Sequence, residues 1–374
     1  MMNVLNLIDT GGPGGAETVF LQVASALDAG RFRSFAVVSR EGWLSQRLQE
    51  RGVAAEIVPA AGSVNVRYLR ALLALTRRHK IDLILAHLYG SAVYASLTGL
   101  IAGIPVVSVL HGQSDIAPGG RLAALKAAIV RRGSRRIVFV SDKLREELAT
   151  QLRLRDSSCV VIPNGVDTDH FRPGQDHSIR QTLGLAEDTV LVGAIGNIRA
   201  PKAYDVLLAA ADILLKRSLR VHFVIAGELS GTLGEQLLEQ RRRLGIESRT
   251  TFLGLRADIP NILHNLDIFA LSSRTEGFSI ACIEAMACGV PVVATRSGGP
   301  QQILDAATGI LVAPDSPEEL ANAIQLLVQS PARRRALAAA GPARVREHFS
   351  LRRMLGAYET LLTDMSARTP GAHA

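Results

Sequence analysis

Short runs of β-branched and aliphatic residues alternate along this chain with longer stretches in which Leu, Ala and Arg recur at helical spacing. The runs predict strands at Asn3–Ile8, Phe35–Ser39, Ala55–Val58, Leu83–Ala86, Val106–Leu110, Arg136–Val140 and Cys159–Ile162. Helical stretches such as Thr18–Leu27, Val66–His79 and Leu122–Arg131 lie between them. After Pro173 the alternation resumes, with strands expected at Val190–Ile195, Val221–Ala226, Thr250–Leu253, Ile268–Ala270, Pro291–Thr295 and Gly309–Val312. Strands alternating with helices imply right-handed βαβ crossovers and therefore doubly wound parallel sheets of the α/β class. About thirteen strands are too many for one comfortable sheet. Pro163, Asn164-Gly165, Pro173 and Gly174 cluster at the natural boundary. Two Rossmann-like domains are therefore expected, 1–168 and 169–349, with helices at about 350–365 packing back onto the first. Two such domains facing each other would bind ligands in a cleft at the carboxyl ends of their strands.

Composition narrows the classes. Of 374 residues, 48% are hydrophobic and 20% charged, which excludes a disordered chain. Only 4% are aromatic, so the cores must be aliphatic. The net charge of +8 is uneven. Residues 1–170 carry 20 basic and 14 acidic side chains (+6), and residues 171–374 carry 22 and 20 (+2). A basic first half points to a polyanion: nucleic acid, an acidic membrane or a phosphorylated small molecule. The 10 Phe, 5 Tyr and 1 Trp are scattered along the chain and form no stacking platform, so no nucleic acid is expected. The longest apolar stretch, Leu97–Leu110, is interrupted by Gly99, Gly103 and Pro105 and is too short to span a bilayer. The first residues read as a strand, not a signal peptide. Cys159, Cys282 and Cys288 have neither disulfide-framework nor metal-site spacing. These features together predict a cytoplasmic protein, at most peripheral on the inner face of the membrane.

Candidate chemistry sits after the strands. Gly11-Gly12-Pro13-Gly14-Gly15-Ala16-Glu17 follows the first strand and opens a helix, so it is either an anion seat or a tight turn. It is not G-x-G-x-x-G, because Glu17 stands where the last glycine would be. His87 and His111 each end an apolar strand at a carboxyl edge, where a histidine is structural or catalytic. Asn197, Arg199 and Lys202 lie on the loop before the helix Asp205–Leu215, placing two cations near a helix start. Ile162-Pro163-Asn164-Gly165-Val166-Asp167 reads as a hinge. In Asp267–Gln302, Glu276 precedes a helix stopped by Gly289, and Glu284 lies inside it between apolar Ile280, Ile283 and Ala287. A carboxylate there is costly unless hydrogen-bonded, and sugar or ribose hydroxyls would satisfy it. Backbone N–H groups near Phe278, Ser279 and Ile280 would meet an anion at the helix start. The stretch Arg121–Arg136, with six cations among Leu, Ala and Ile, is either a lipid-facing amphipathic helix or a solvated face.

Glu276 and Glu284, within Glu-Gly-Phe-Ser…Glu-Ala-Met-Ala-Cys-Gly-Val-Pro-Val-Val-Ala-Thr…Gly-Gly, closely resemble the signature of glycosyltransferase family 4. Gly14-Gly15-Ala16-Glu17, Val109-Leu110-His111, Phe139-Val140-Ser141, Ile162–Asp167 and Leu311-Val312-Ala313-Pro314 extend the resemblance along nearly the whole chain. It implies a GT-B fold and a retaining enzyme moving a sugar from a nucleoside diphosphate sugar to a hydroxyl of a glycan or lipid-linked glycan, in cell-surface polysaccharide synthesis. An epimerase or hydrolase of the same fold, or a non-catalytic nucleotide-sugar binder, is the alternative. By the same resemblance Glu276 contacts the donor sugar, Glu284 the ribose diol and Lys202 the diphosphate. Gly14 and Gly15 lie against phosphates or sugar, and His111 lies by the reacting sugar. No cofactor or metal is implied, since cations and a helix start stabilise the leaving diphosphate. Three positions depart from the family pattern. Asn197 replaces the usual Arg after Gly196, leaving Arg199 as substitute; Ala203 replaces the Gly after Lys202; and Gln302 replaces a Glu.

Overall fold

A computed structural model describes residues 1–60, 65–112 and 122–367. Contacts divide the chain between Asn164 and Gly165 and again between Ser350 and Leu351. One compact unit holds Met1–Asn164 and the helix Leu351–Ala367, and the other holds Gly165–Ser350.

In the first unit, β1 (Met2–Ile8), β2 (Phe32–Val38), β3 (Ala54–Ile57), β4 (Leu83–His87), β5 (Val106–Leu110), β6 (Arg136–Phe139) and β7 (Cys159–Val161) form one parallel sheet. Its order is β3-β2-β1-β4-β5-β6-β7, so the chain reverses its direction of travel on either side of β1. The middle of β1 sits in register between β2 and β4, with Leu5 opposite both Phe35 and Ile84. All five residues of β4 and of β5 are buried. That is why these strands read as continuous apolar runs and not as alternating ones. The first unit's helix Gly15–Ala26 packs on the C-terminal helix, and Glu359 of that helix accepts hydrogen bonds from the Asp28 N–H and the Arg31 guanidinium.

The second unit repeats the plan with β8 (Val190–Ile195), β9 (Val221–Ala226), β10 (Thr250–Gly254), β11 (Ile268–Leu271), β12 (Val292–Thr295) and β13 (Gly309–Val312). The order β10-β9-β8-β11-β12-β13 reverses on either side of β8, again with every pair parallel. Its core is aliphatic, built from residues such as Val192, Leu208, Leu214, Ile225, Ile268 and Ile324. At each reversal two strand ends diverge and leave a crevice at their carboxyl edges, the usual ligand position in open α/β sheets. β2 begins three residues earlier than its apolar run predicts, because Met2, Asn3 and Val4 of β1 pair with Phe32, Arg33 and Ser34. Pairing to a central strand overrides the polarity of those positions.

Among the described residues, no helix is long and apolar enough to cross a membrane. Of the basic stretch, Arg121 lies outside the described residues. The remainder forms the helix Ala123–Gly133, which exposes Leu125, Arg131 and Arg132, and leads into β6. Cys159, Cys282 and Cys288 are free thiols.

Candidate active site

The loops that leave β8 and β11 meet at a lysine–glutamate pair. Lys202 closes the short turn Ala200–Lys202 and donates from Nζ to Glu276 Oε1 at 2.7 Å. Glu276 Oε1 also accepts the Ser273 hydroxyl at 2.6 Å, while the Ser272 hydroxyl bonds the Lys202 carbonyl at 3.0 Å. The Glu276 side chain is only 8% exposed and that of Lys202 25%. In that setting an ion pair loses hydration and holds only if its geometry is good.

Two further devices fix this geometry. Arg274 donates to Asp205 through both terminal nitrogens (3.1 and 2.7 Å), to Asp315 (2.6 Å) and to the Ala200 carbonyl (3.2 Å). Its own N–H bonds the Pro201 carbonyl at 2.7 Å, so one residue laces the β11 loop to the turn that carries Lys202. On the other side Glu276 forms an isolated parallel bridge with Gly298. The Glu276 N–H donates to Ser297, and the Gly299 N–H donates to the Glu276 carbonyl. Gly298 has φ +119°, and a Cβ there would lie 2.5 Å from the Glu276 carbonyl oxygen. At Gly299 a Cβ would lie 2.5 Å from Phe278 Cα. The Gly-Gly pair is thus required by the close approach of two backbones.

Beyond Glu276 the chain enters the helix Ile280–Ala287. Ser279, at its N-cap, makes no capping bond, and its buried hydroxyl has no partner. A helix start without a capping side chain keeps its N–H groups and partial positive charge available to an anion. Phe278 is buried and packs edge-to-face on Phe349. A turn and a half further on, Glu284 is partly buried, and desolvation with no opposing hydrogen bond pushes its carboxyl up to about 7. Nearby burial also pushes the Cys288 thiol up to about 12.

Ala203, where the family pattern has glycine, takes the left-handed conformation (φ 50°, ψ 46°) that a glycine would take and starts the helix Tyr204–Lys216. The loop is therefore kept, at the cost of a strained alanine. Gly196 (φ +153°) stays within reach of the Tyr204 hydroxyl, which donates to its carbonyl at 2.9 Å. Arg199 is exposed. It lines a separate groove of about 610 Å³ with Asp205, Gln236, Glu239, Arg243 and Arg274, which neither Lys202 nor Glu276 lines.

In the first unit, Gly14 is extended (φ −168°) at the N-cap of the helix Gly15–Ala26. A Cβ on Gly14 would lie 2.4 Å from Glu17 Oε2, so the chain's own carboxylate covers this helix start. Arg40 packs over Gly11 and Gly12. His111 follows β5 and is bonded through Nε2 to His87 Nδ1 at 3.0 Å, the two rings stacked 5.2 Å apart. His87 is fully buried with the Phe20 ring edge-on at 5.3 Å, and its Nε2 has no partner. Burial, then the neighbouring His111, holds His87 well below its ordinary pKa, and burial brings His111 down to about 3. Both imidazoles are neutral near pH 7 and share one proton-bearing nitrogen contact.

Residues 13–170 match the family "Glycosyltransferase Family 4", and residues 175–344 match "Glycosyl transferases group 1". The D-inositol 3-phosphate glycosyltransferase of Saccharomonospora viridis is 31% identical over 291 residues, covering 73% of this chain and 67% of that protein. The chain belongs to glycosyltransferase family 4. The enzyme of the same name from Rhodococcus opacus is 36% identical over 234 residues, covering 58% of this chain. That match spans about half of the Rhodococcus protein (52%). Among solved structures, Anabaena HepE in complex with UDP-glucose superposes with a TM-score of 0.88 at 25% identity, covering 97% of this chain and 100% of that one. The two Rossmann-like units are those of the GT-B fold shared by such neighbours.

Within this family frame, the structure brings together Lys202 and Glu276, and places Phe278, Ser279, Ile280 and Glu284 along the same segment. It holds His111 against His87, and sets Arg199 on a separate groove. Ser273 and Arg274, which sequence reasoning passed over, complete the site. Their signal was the hydroxyl-rich Ser-Ser-Arg directly after β11.

The histidine pair gives a pH signature. Both groups are depressed on folding, so the unfolded chain binds more protons from about pH 6.5 downward. Their contribution is complete above that value and is lost as pH falls toward about 3. Melting temperature should fall over this window, and His87→Leu should flatten the fall. An unchanged slope in the variant would count against the buried neutral pair.

Proposed function

We propose that this protein is a retaining glycosyltransferase that moves a sugar from a nucleoside diphosphate sugar, in the first instance UDP-glucose, to a hydroxyl of a glycan or lipid-linked glycan. The observation that carries the reading is the partly buried Lys202–Glu276 pair, with Glu276 set just before a helix whose N-cap side chain makes no capping bond. HepE, solved with UDP-glucose, supports the choice of donor. The relatives named as D-inositol 3-phosphate glycosyltransferases support transfer to a polyol acceptor.

In this mechanism Glu276, already desolvated, accepts hydrogen bonds from the donor sugar's hydroxyls. Lys202 and the N–H groups of the helix that begins at Ile280 receive the diphosphate and take up charge as it leaves. These groups do the work a divalent cation does elsewhere, so no metal is needed for the leaving group. Glu284 holds the ribose diol. Its carboxylate lacks hydrogen-bond donors of its own, and two hydroxyls restore them. Retention follows from attack on the face the diphosphate leaves, with a phosphate oxygen accepting the acceptor's proton. His111, neutral, lies by the reacting sugar, its ring held in place through Nε2 by His87.

A lipid-linked acceptor suits the first unit's exposed Leu100, Ile101, Leu125, Arg131 and Arg132, on two helices that pack directly together. Co-sedimentation with vesicles should favour anionic over zwitterionic lipid, and equal binding would remove the membrane from this reading.

Glu276→Ala and Lys202→Ala should each lower kcat/KM at least about tenfold, since a charge-assisted hydrogen bond is worth roughly 1.5–3 kcal/mol. Product analysis with UDP-glucose and an acceptor checks this. Near wild-type transfer by both variants would sink the assignment, and free sugar without transfer would indicate a hydrolase.

UDP-glucose affinity should also rise with pH through about 7, because ribose hydroxyls donate to the ionised form of Glu284 and the sugar-diphosphate does not titrate there. Titration calorimetry at about pH 6 and 8 should show the change in wild type and its absence in Glu284→Gln.

A further inference from the structure

Lys202 and Glu276 face different parts of the donor in the reading above, the diphosphate and the sugar, yet they are bonded to each other. Among the described residues Glu276 is the only hydrogen-bond partner of the Lys202 ammonium, at 2.7 Å. The ammonium lies over the end of β8, where a Cβ on Gly196 would stand 3.8 Å from Nζ. On the carboxylate, both donors, Lys202 and Ser273, take Oε1, and Oε2 accepts from no described residue. Burial, and then the Glu276 charge, raises both the Tyr204 hydroxyl and the Cys282 thiol above their ordinary values, so this carboxylate is poorly screened. Neighbouring cations do not replace the lysine. Arg274 is shared between Asp205 and Asp315, and Arg199, just before the Lys202 turn, lines the outer groove.

A diphosphate that draws on Lys202 must therefore take the ammonium from Glu276. That leaves a carboxylate only 8% exposed with the Ser273 hydroxyl as its remaining donor, and an uncompensated charge in such a place is costly. Sugar hydroxyls lower this cost. They donate to Glu276, and a carboxylate with new donors leans less on the lysine. The coupling is reciprocal: what the sugar contributes to the grip on the diphosphate, the diphosphate contributes to the grip on the sugar.

We propose that Glu276 restrains Lys202, so that a bare nucleoside diphosphate is held weakly and the grip becomes full only when an attached sugar occupies the carboxylate. Glu276 is then a specificity-determining residue for the sugar nucleotide over its own leaving group, and it speeds release of that group once the sugar has moved to the acceptor. The proposal rests on the donor-site reading for the identity of the anion. The restraint itself is a property of the pair.

The test is calorimetry of UDP-glucose, UDP and inorganic pyrophosphate with the full chain, as wild type, Glu276→Gln, Glu276→Asp, Lys202→Met and the Lys202→Met, Glu276→Gln double variant. Glu276→Gln should bind UDP and pyrophosphate about tenfold more tightly than the wild type does, the scale of one charge-assisted hydrogen bond. UDP-glucose should gain much less, because its sugar loses the carboxylate, so the preference for the sugar nucleotide over UDP should shrink. Glu276→Asp keeps the charge but draws it back from Nζ, and should show part of the gain. A gain cannot come from a chain that fails to fold. In the Lys202→Met background, Glu276→Gln should change both affinities by no more than about twofold, since only direct repulsion by the carboxylate is then relieved. The proposal is overturned if neither Glu276 variant binds UDP or pyrophosphate more tightly than the wild type, or if the gain is as large without Lys202. In either case, UDP-glucose binding to the wild type leaves the donor reading standing. A gain for pyrophosphate with no binding of UDP or UDP-glucose would uphold the restraint and count against a uridine nucleotide as donor.

Discussion

The candidate site depends on one ion pair. Lys202 and Glu276 come from loops after different strands, and each has given up much of its hydration. A pair of this kind is an uncertain gain in stability, but removing one member leaves the other as an uncompensated buried charge. The surroundings make sense as devices for keeping the pair intact. Ser273 gives Glu276 a second donor, Arg274 laces the two loops together, and Gly298-Gly299 lets a neighbouring backbone grip Glu276 from behind. A carboxylate held so firmly needs little reorganisation when a substrate hydroxyl arrives, and preorganisation of this kind is what electrostatic catalysis uses.

The same topology serves both units in different ways. Each sheet reverses on either side of its first strand, and each places a glycine-bearing loop at that strand's carboxyl end. In the second unit the loop delivers a lysine to Glu276, just before a helix whose N-cap side chain makes no capping bond, an environment that suits an anion. In the first unit the helix after β1 starts under Glu17, and Asp9 lies on the start of the helix after β4, the counterpart of Ile280–Ala287. Arg40 and Lys126 lie near these two helix starts, and further positive charge of the first half is carried on the surface at positions such as Arg131 and Arg132.

Much of the fold was legible in the chain. Buried parallel strands must be apolar on both faces, so their runs stand out, and the Pro and Gly cluster at 163–174 contains the division between Asn164 and Gly165. The segment from Glu276 to Glu284 was legible for a similar reason: a carboxylate set among apolar helical positions is costly and draws notice. The partnership of His87 with His111 was not legible. His87 ends β4 and His111 follows β5, 24 residues apart, and their contact follows from β4 pairing with β5. Arg274 was equally obscure, since a single arginine after a strand looks like any solvated cation until its partners at Asp205 and Asp315 are seen.

By itself, then, the sequence determined the alternation of elements, the two-domain division and the residue types offered at the strand ends. These follow from local periodicity and from the glycines and prolines that interrupt it. Only the tertiary structure decided which of those residues meet. It joined Lys202 to Glu276 and left Arg199, three positions away, lining a groove that this pair does not line. It also set Asp9, from the loop after β1, against Gly90 at the start of the helix after β4. Strand order, not sequence distance, sets such encounters, and burial then fixes each group's charge and hydrogen-bond needs once the strands are side by side.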